Sequence, residues 1–367
     1  MFRRVLARTI EDRLLLVLLA ALVPLLWFSP EPIWALHTLV DWKTVGALAG
    51  LMILSRGLEE SGYLALAGRW LMQRVKGERL LAIVLVLFSA CLAAVITNDV
   101  ALFIAVPLTV SLRRVADIPT GRLVIFEALA VNAGSALSPI GNPQNLFLWQ
   151  TSGIGFLEFT LMMAPLALAL TVLLFVLVPL AFPGRRISST GMTADVPRHR
   201  GLFWVSLLLY LPFLLVADLG YAAAGATGLL AFFLIYRRRL LWGVDWLLLV
   251  VFALMFIDMN LLSGLPAVRH VADVLLQLPG QVLTAAVLGS QMMSNVPAAI
   301  FLASFTDEWR DLAWGVSVGG FGLAIGSLAN LIALRLAREP GLWREFHVWS
   351  LPVLLAGWLI ALVIGWL

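Results

Sequence analysis

Hydrophobic positions along this chain fall in long unbroken runs, not in alternation or a one-sided helical stripe. Runs long enough to cross a hydrocarbon core of about 30 Å recur from end to end, which predicts membrane-spanning helices. In order, the pattern predicts span one over 14–30, span two over 43–56 and an interfacial amphipathic helix over 57–79. An apolar run over 80–112 follows, then span three over 122–152 and span four over 157–183. A polar, basic loop over 184–200 leads to spans five, six and seven over 202–218, 221–236 and 246–262. A second long run covers 280–306, and spans eight and nine cover 313–336 and 349–367.

Two of these runs carry polar residues at their centres. Thr97, Asn98 and Asp99 interrupt the run 80–112, and Ser294 and Asn295, followed by Val296 and Pro297, interrupt 280–306. Span three is broken by Gly141-Asn142-Pro143-Gln144-Asn145. Polar groups at membrane depth are costly unless they line a cavity or bind something. One reading makes each interrupted run a re-entrant hairpin. The rival lets 80–97 cross alone, with Asn98 and Asp99 as an outer turn. The thirteen residues of 100–112 make only about 20 Å of helix, too short to cross back, which favours the hairpin. A helix interrupted in mid-membrane offers carbonyls to cations at one end and N–H groups to anions or polar oxygens at the other. Asn98 or Asp99, and Asn295, suit the N-cap of each second arm, and Asn142 ahead of Pro143 suits the same role. Capping alone is the plain alternative for any one of these residues.

The halves echo each other. Val40-Asp41-Trp42 answers to Val244-Asp245-Trp246, Thr97-Asn98 to Ser294-Asn295, and Gly141 through Asn145 to Gly326 through Asn330, which includes Ser327. The offset drifts from 204 to 185, as small insertions would make it. Each segment of the second copy runs in the opposite direction. The fold expected is therefore an all-α polytopic membrane protein of inverted-topology repeats, each with a re-entrant helical hairpin and a broken transmembrane helix. The first repeat would cover 1–183, a cytoplasmic linker and connecting span 184–220, and the second, inverted repeat 221–367.

Composition and charge agree. Hydrophobic residues make up 62% of the chain and charged residues 13%, with mean hydropathy +0.99, far from the roughly one-quarter charged of a soluble domain. The net charge of +4 is explained by topology and gives no sign of nucleic acid. With the N-terminus cytoplasmic, 22 of the 25 Lys and Arg residues fall inside, and only Lys43, Arg269 and Arg310 fall outside. The C-terminus then emerges on the outer face. The basic start and apolar 14–28 look like a signal peptide, but no small-residue cleavage site follows, so a retained first helix is expected. The single cysteine, Cys91, excludes an intrachain disulfide and a thiolate metal cluster.

The segments Thr97-Asn98-Asp99-Val100-Ala101-Leu102, Gly141-Asn142-Pro143-Gln144-Asn145-Leu146, Ser294-Asn295-Val296-Pro297 and Ile325-Gly326-Ser327-Leu328-Ala329-Asn330 resemble the ion transporter superfamily, nearest its arsenite-pump membrane subunits and small anion permeases. That superfamily also holds divalent anion/sodium symporters, citrate transporters and sodium/proton antiporters. The resemblance implies sodium sites, one near Asn98 and Gly141 and the other near Asn295. In dicarboxylate members each hairpin tip reads Ser-Asn-Thr, and the Thr meets a substrate carboxylate. Here Asp99 and Val296 stand at that third position, which argues against di- and tricarboxylates.

The function expected is an ion-coupled secondary transporter of a small anion, or of a neutral oxyacid such as arsenite, in a bacterial inner membrane. A sodium/proton antiporter, a dicarboxylate or citrate symporter and a passive channel are the alternatives. The expected binding residues are Thr97, Asn98, Asp99, Gly141, Asn142, Gln144, Asn145, Ser294, Asn295, Ser327 and Asn330. Asp99, Glu127 and Asp258 are candidate proton carriers, because ionisable groups inside a span mark ion or proton pathways. Asp258 alternatively pairs with a base such as Arg56, and that pairing is the favoured reading. No enzyme, cofactor or resident metal is expected beyond a coupling sodium ion or proton. Gly315-Val316-Ser317-Val318-Gly319 fits a nucleophile-elbow pattern but opens a span with no strand before it, so it reads as close helix packing. No Walker motif occurs, so energy would come from an ion gradient or a separate ATPase subunit. The expected partners are a small solute or ion, the lipid bilayer and a second copy in a homodimer.

Overall fold

The computed structural model describes residues 13–28, 32–72, 75, 77–112, 118–187, 198–337, 339 and 341–366. The arginines ahead of residue 13 and most of the expected linker, 188–197, lie outside the described residues. Among the described residues the secondary structure is helical, with no β-strand beyond one isolated bridge between Gly77 and Arg186. Five helices are long and apolar enough to cross a membrane: Glu78–Val95, Phe156–Ala181, Arg200–Asp218, Trp246–Gly264 and Leu342–Trp366.

The first half begins with α1 (Arg13–Phe28), a 3₁₀ turn over Ile33–Leu39, α2 (Trp42–Glu60) and α3 (Tyr63–Met72). The run expected as one hairpin forms α4 (Glu78–Val95) and α5 (Asn98–Leu112). The expected span three is α6 (Thr120–Ser135) and α7 (Pro143–Ser152), followed by α8 (Phe156–Ala181). Next come α9 (Arg200–Asp218) and α10 (Ala222–Leu241). The earlier order then returns in α11 (Trp246–Gly264), α12 (Pro266–Leu276), the pair α13 (Gln281–Met293) and α14 (Asn295–Leu302), the pair α15 (Trp309–Gly319) and α16 (Leu328–Ala337), and α17 (Leu342–Trp366). The short helix α12 was not anticipated. It occupies the place in the second half that α3 holds in the first.

Neither second arm can cross alone: α5 has 15 residues and α14 only 8, or about 22 and 12 Å of helix. The arms fold back instead. Phe88 of α4 and Leu108 of α5 converge on Gly68, where a Cβ would stand 2.9 and 2.6 Å from them. Gly289 of α13 likewise faces Ala298 and Leu302 of α14 across the turn. The hairpin reading therefore holds over the crossing alternative. Span eight is also broken, its halves α15 and α16 joined by a 3₁₀ turn over Ala324–Gly326.

Helix α6 sits at the centre, with every residue from Leu123 to Ser135 buried. Close packing there depends on small residues. A Cβ on Gly134 would overlap the Ala90 backbone of α4, and one on Gly315 would stand 2.5 Å from Ala286 Cβ of α13. The Gly-x-Ser-x-Gly match is thus a packing surface. Peripheral helices are apolar on both sides. Helix α8 buries Phe159, Met163, Leu166, Leu170, Leu174 and Val178 against the core, while Leu161, Leu168, Val172 and Val176 are exposed on its other side. An apolar outer face suits lipid, not water.

Candidate functional site

The hairpin tip between α4 and α5 docks on the break between α6 and α7. Asn98 N–H donates to Gly141 O at 2.8 Å, and Ser138 Oγ donates to Ala94 O at 2.8 Å. Gly141 is required there, because a Cβ would stand 2.6 Å from Ser135 Cα and 2.8 Å from Ala93 O. Thr97 and Asn98 are buried, and Asp99 is half-buried in the first turn of α5. Asp99 N–H donates to Asn98 Oδ1 at 2.9 Å, and Asp245, ahead of α11, is the acidic neighbour of Asp99. Asn142 caps α7 as expected, accepting from Asn145 N–H at 2.8 Å, and its amide donates to Ser135 O at 3.0 Å. The Asn145 amide donates to Ala136 O at 3.1 Å. These bonds leave two buried acceptors without partners, Gln144 Oε1 and Asn145 Oδ1. A buried polar atom left unbonded costs about 1–3 kcal/mol, so such atoms mark strain or a missing ligand.

The second hairpin docks on the second break in the same way. Ser294 Oγ lies 3.5 Å from Gly326 O. Ser294 has φ 75°, ψ 156°, a conformation that costs about 1–3 kcal/mol in a residue other than glycine. The capping expectation is corrected by one position here: Ser294 fills the N-cap place without a side-chain cap bond, and Asn295 is the first helical residue. In the first hairpin, too, α5 begins at Asn98 itself, with Thr97 O accepting from Ala101 N–H at 3.0 Å.

Side chains that no sequence motif marked complete the second break. Asn132, one turn before the end of α6, donates to Asn330 Oδ1 at 2.8 Å and to Gly320 O at 3.1 Å. Its own Oδ1 accepts from Ser327 Oγ at 3.1 Å, and the Asn330 amide donates to Gly320 O at 2.8 Å. Asn295 comes to the same place: a Cβ on Gly320 would stand 3.2 Å from its amide nitrogen. Gln291 of α13 donates to Gly319 O at 2.7 Å and accepts from Leu323 N–H at 2.8 Å. Ser350 Oγ and His347 Nε2 of α17 accept from Gly322 and Ala324 N–H. For Asn132 itself the only sequence signal was a polar residue within a largely apolar run.

Of the other intramembrane acids, Glu127 is fully buried on α6 itself, with Oε1 accepting from Thr109 Oγ1 of α5 at 2.6 Å and Oε2 unbonded. The expected Asp258–Arg56 pair does not form. Arg56 pairs with Glu59 at 2.9 Å, one turn along its own helix, and both Asp258 oxygens are buried without a hydrogen-bond partner among the described residues. Among those residues no group of three or more His, Cys, Asp or Glu could hold a metal ion. The ligand groups available at the breaks are amide and backbone oxygens.

A cavity of about 590 Å³ lies above α7, lined by Asp41, Phe147, Thr151, Phe256, Asn260 and Asp307 among others. Rings Phe147 and Phe256 meet edge to face on its wall, with centroids 5.4 Å apart.

Comparison with known proteins agrees with this architecture. The crystal structure of the Alcanivorax borkumensis YdaH transporter superposes with a TM-score of 0.57 over 90% of this chain and 88% of that one, at 16% identity, a likeness of fold. An inner membrane protein of Escherichia coli, YbiR, is 45% identical over 97% of this chain and 96% of its own length. An uncharacterized transporter of Methanocaldococcus jannaschii, MJ0456, is 32% identical over 84% of each chain. The profile of the citrate transporter family matches residues 6–319. The resemblance to the ion transporter superfamily holds, and the chain is a multi-pass membrane transporter that belongs to the citrate transporter family.

Proposed function

We propose that the chain is an ion-coupled secondary transporter that moves a small anion or a neutral oxyacid by alternating access, with the two helix breaks as its binding site. The observation that carries this reading is the first break. There a hairpin tip is fastened to a broken helix by Asn98 N–H and Gly141 O, and Gln144 Oε1 and Asn145 Oδ1 are left buried and unbonded. Unpaired oxygens beside interrupted helices are what a coupling cation and a hydrogen-bonding solute require. Thr97, Asn98, Gly141, Asn142, Gln144 and Asn145 would serve one side of the site, and Ser294, Asn295, Ser327 and Asn330 the other. A sodium ion would sit near Asn98 and Gly141 and a second near Asn295, or Asp99 would carry a proton in their place. The family name points to citrate, but Asp99 repels a carboxylate at one tip and Val296 offers it no hydrogen bond at the other.

Symmetry of the element order supports a first repeat over 1–183, a connecting unit over 184–220 and an inverted second repeat over 221–367. The distribution of Lys and Arg supports a bacterial inner membrane with the N-terminus inside and the C-terminus outside. A homodimer or a separate ATPase subunit would leave this site unchanged.

The test is a flux screen in proteoliposomes across neutral oxyacids, monovalent oxyanions and polycarboxylates, with imposed sodium or proton gradients. Saturable uptake driven by one gradient supports the proposal. A linear, non-saturating flux indifferent to both gradients replaces it with a passive channel.

A further inference from the structure

From the cavity above α7, we infer that solute reaches the site down one face of that helix, through an acidic vestibule that favours hydrogen-bond donors and cations over polyanions. Residues Thr151, Phe147 and Gln144 recur at helical spacing and so share a face. Thr151 and Phe147 line the cavity, and Gln144 lies one turn further along the helix toward the break. The Phe147 ring meets Phe256 of α11 at 5.4 Å and 65°, so on this face an aromatic pair stands between Thr151 and Gln144. Gln144, one turn from Phe147, is 3% exposed, and its Oε1 has no hydrogen-bond partner. A buried, unbonded acceptor one turn beyond the aromatic pair is where an arriving donor or cation gains most.

The mouth chooses in the same direction. Asp41 and Asp307 line the cavity, together with Asn260 and several hydroxyls, and among the described residues no Lys, Arg or His lines it. Carboxylates on a concave wall concentrate cations, leave neutral solutes unaffected and repel polyanions. Asp41 also caps α2 through bonds from Lys43 and Thr44 N–H at 3.0 and 3.3 Å, so its charge is held in place. This access route rests on the transport reading and narrows its solute to a neutral hydroxylated oxyacid, with a coupling cation taking the same path. A citrate trianion is disfavoured at the mouth as well as at the hairpin tips.

The test uses single cysteines in a Cys91→Ser background, in right-side-out membrane vesicles, with membrane-impermeant methanethiosulfonates carrying either a trimethylammonium or a sulfonate group. Thr151→Cys is expected to react with both and to favour the cationic reagent by about tenfold, and Asp307→Asn should reduce that preference. Gln144→Cys should react slowly, and Phe256→Ala should speed it by about tenfold, since one aromatic contact controls the opening. Phe256→Leu keeps the site apolar and should give a smaller acceleration, which separates an opened route from a misfolded protein. Equal rates with the two reagents at Thr151→Cys, a Gln144→Cys rate indifferent to both Phe256 variants, or labelling from the cytoplasmic face alone would overturn the inference. Labelling needs no transported solute. A protein that labels as expected but carries nothing in the flux screen loses the transport reading, whereas one that transports but fails the labelling test loses only the route.

Discussion

At the second break Asn330 donates to Gly320 O and its Oδ1 receives the Asn132 amide, whereas at the first break Asn145 donates to Ala136 O and its Oδ1 receives nothing. The residue that answers to Asn132, at the offset that aligns Gly141 with Gly326, is Ser317. Serine has no amide to offer, and Ser317 Oγ is itself buried and unbonded. One half therefore closes its polar account with side chains from α6, α13 and α17, and the other leaves acceptors open. In an inverted repeat the copies begin alike, so the difference points to the first break as the place where a ligand completes the structure.

The largest effect is expected at Asn98. Asn98→Ala removes the side-chain acceptor for Asp99 N–H beside the unbonded oxygens and should reduce transport to background while folded protein stays in the membrane, as measured by proteoliposome uptake and thermal unfolding. Uptake at the wild-type rate reduces Asn98 to a structural residue of the first turn of α5.

Next is Asn132. Asn132→Ser unpairs Asn330 Oδ1 and weakens the hold on Gly320 O, costing about 1–3 kcal/mol, which thermal unfolding in detergent reads as a fall of several degrees. An unchanged midpoint would mean the second break is no better tied than the first.

The helices and both breaks were legible because their signals are local. Polar residues within apolar runs, such as 97–99 and 141–145, mark the breaks, and the repeated Val-Asp-Trp and Asn-bearing segments mark the symmetry. The missing parts depend on what faces what. Asn132 is one of several polar residues in α6, its partners lie 188 to 198 positions away, and nothing local distinguishes it from an ordinary core asparagine. Arg56 was expected to reach across to Asp258, but Glu59, three positions along the same helix, is closer at hand. Helix α12 was missed because its polar face set it apart from the spans on either side.

Asp258 extends the comparison to α2 and α11. Its place in α2 falls at Leu54-Ser55, both fully buried and uncharged. Asp258→Leu puts an apolar side chain of similar size there and removes two unbonded buried oxygens, so it should stabilise the protein by about 1 kcal/mol and leave gradient-driven uptake intact. Loss of that uptake in a well-folded variant would move the proton from Asp99 to Asp258. The smallest change is expected for Ser317→Asn, which offers Asn145 Oδ1 the amide that Asn330 already has. It should raise the unfolding midpoint by the worth of about one hydrogen bond, 0.5–1.5 kcal/mol, and slow transport, because the open acceptor is then filled. Faster transport would contradict an open first break.

The most direct measurement of the central claim, that an ion gradient drives solute through the first break, compares exchange with accumulation in Asp99→Asn proteoliposomes. That variant keeps the shape of the side chain and cannot change its charge. The account predicts that the solute identified by the flux screen still exchanges down its own gradient but is no longer concentrated by an imposed sodium or proton gradient. Accumulation at the wild-type level, with unaltered pH and sodium dependence, would contradict it.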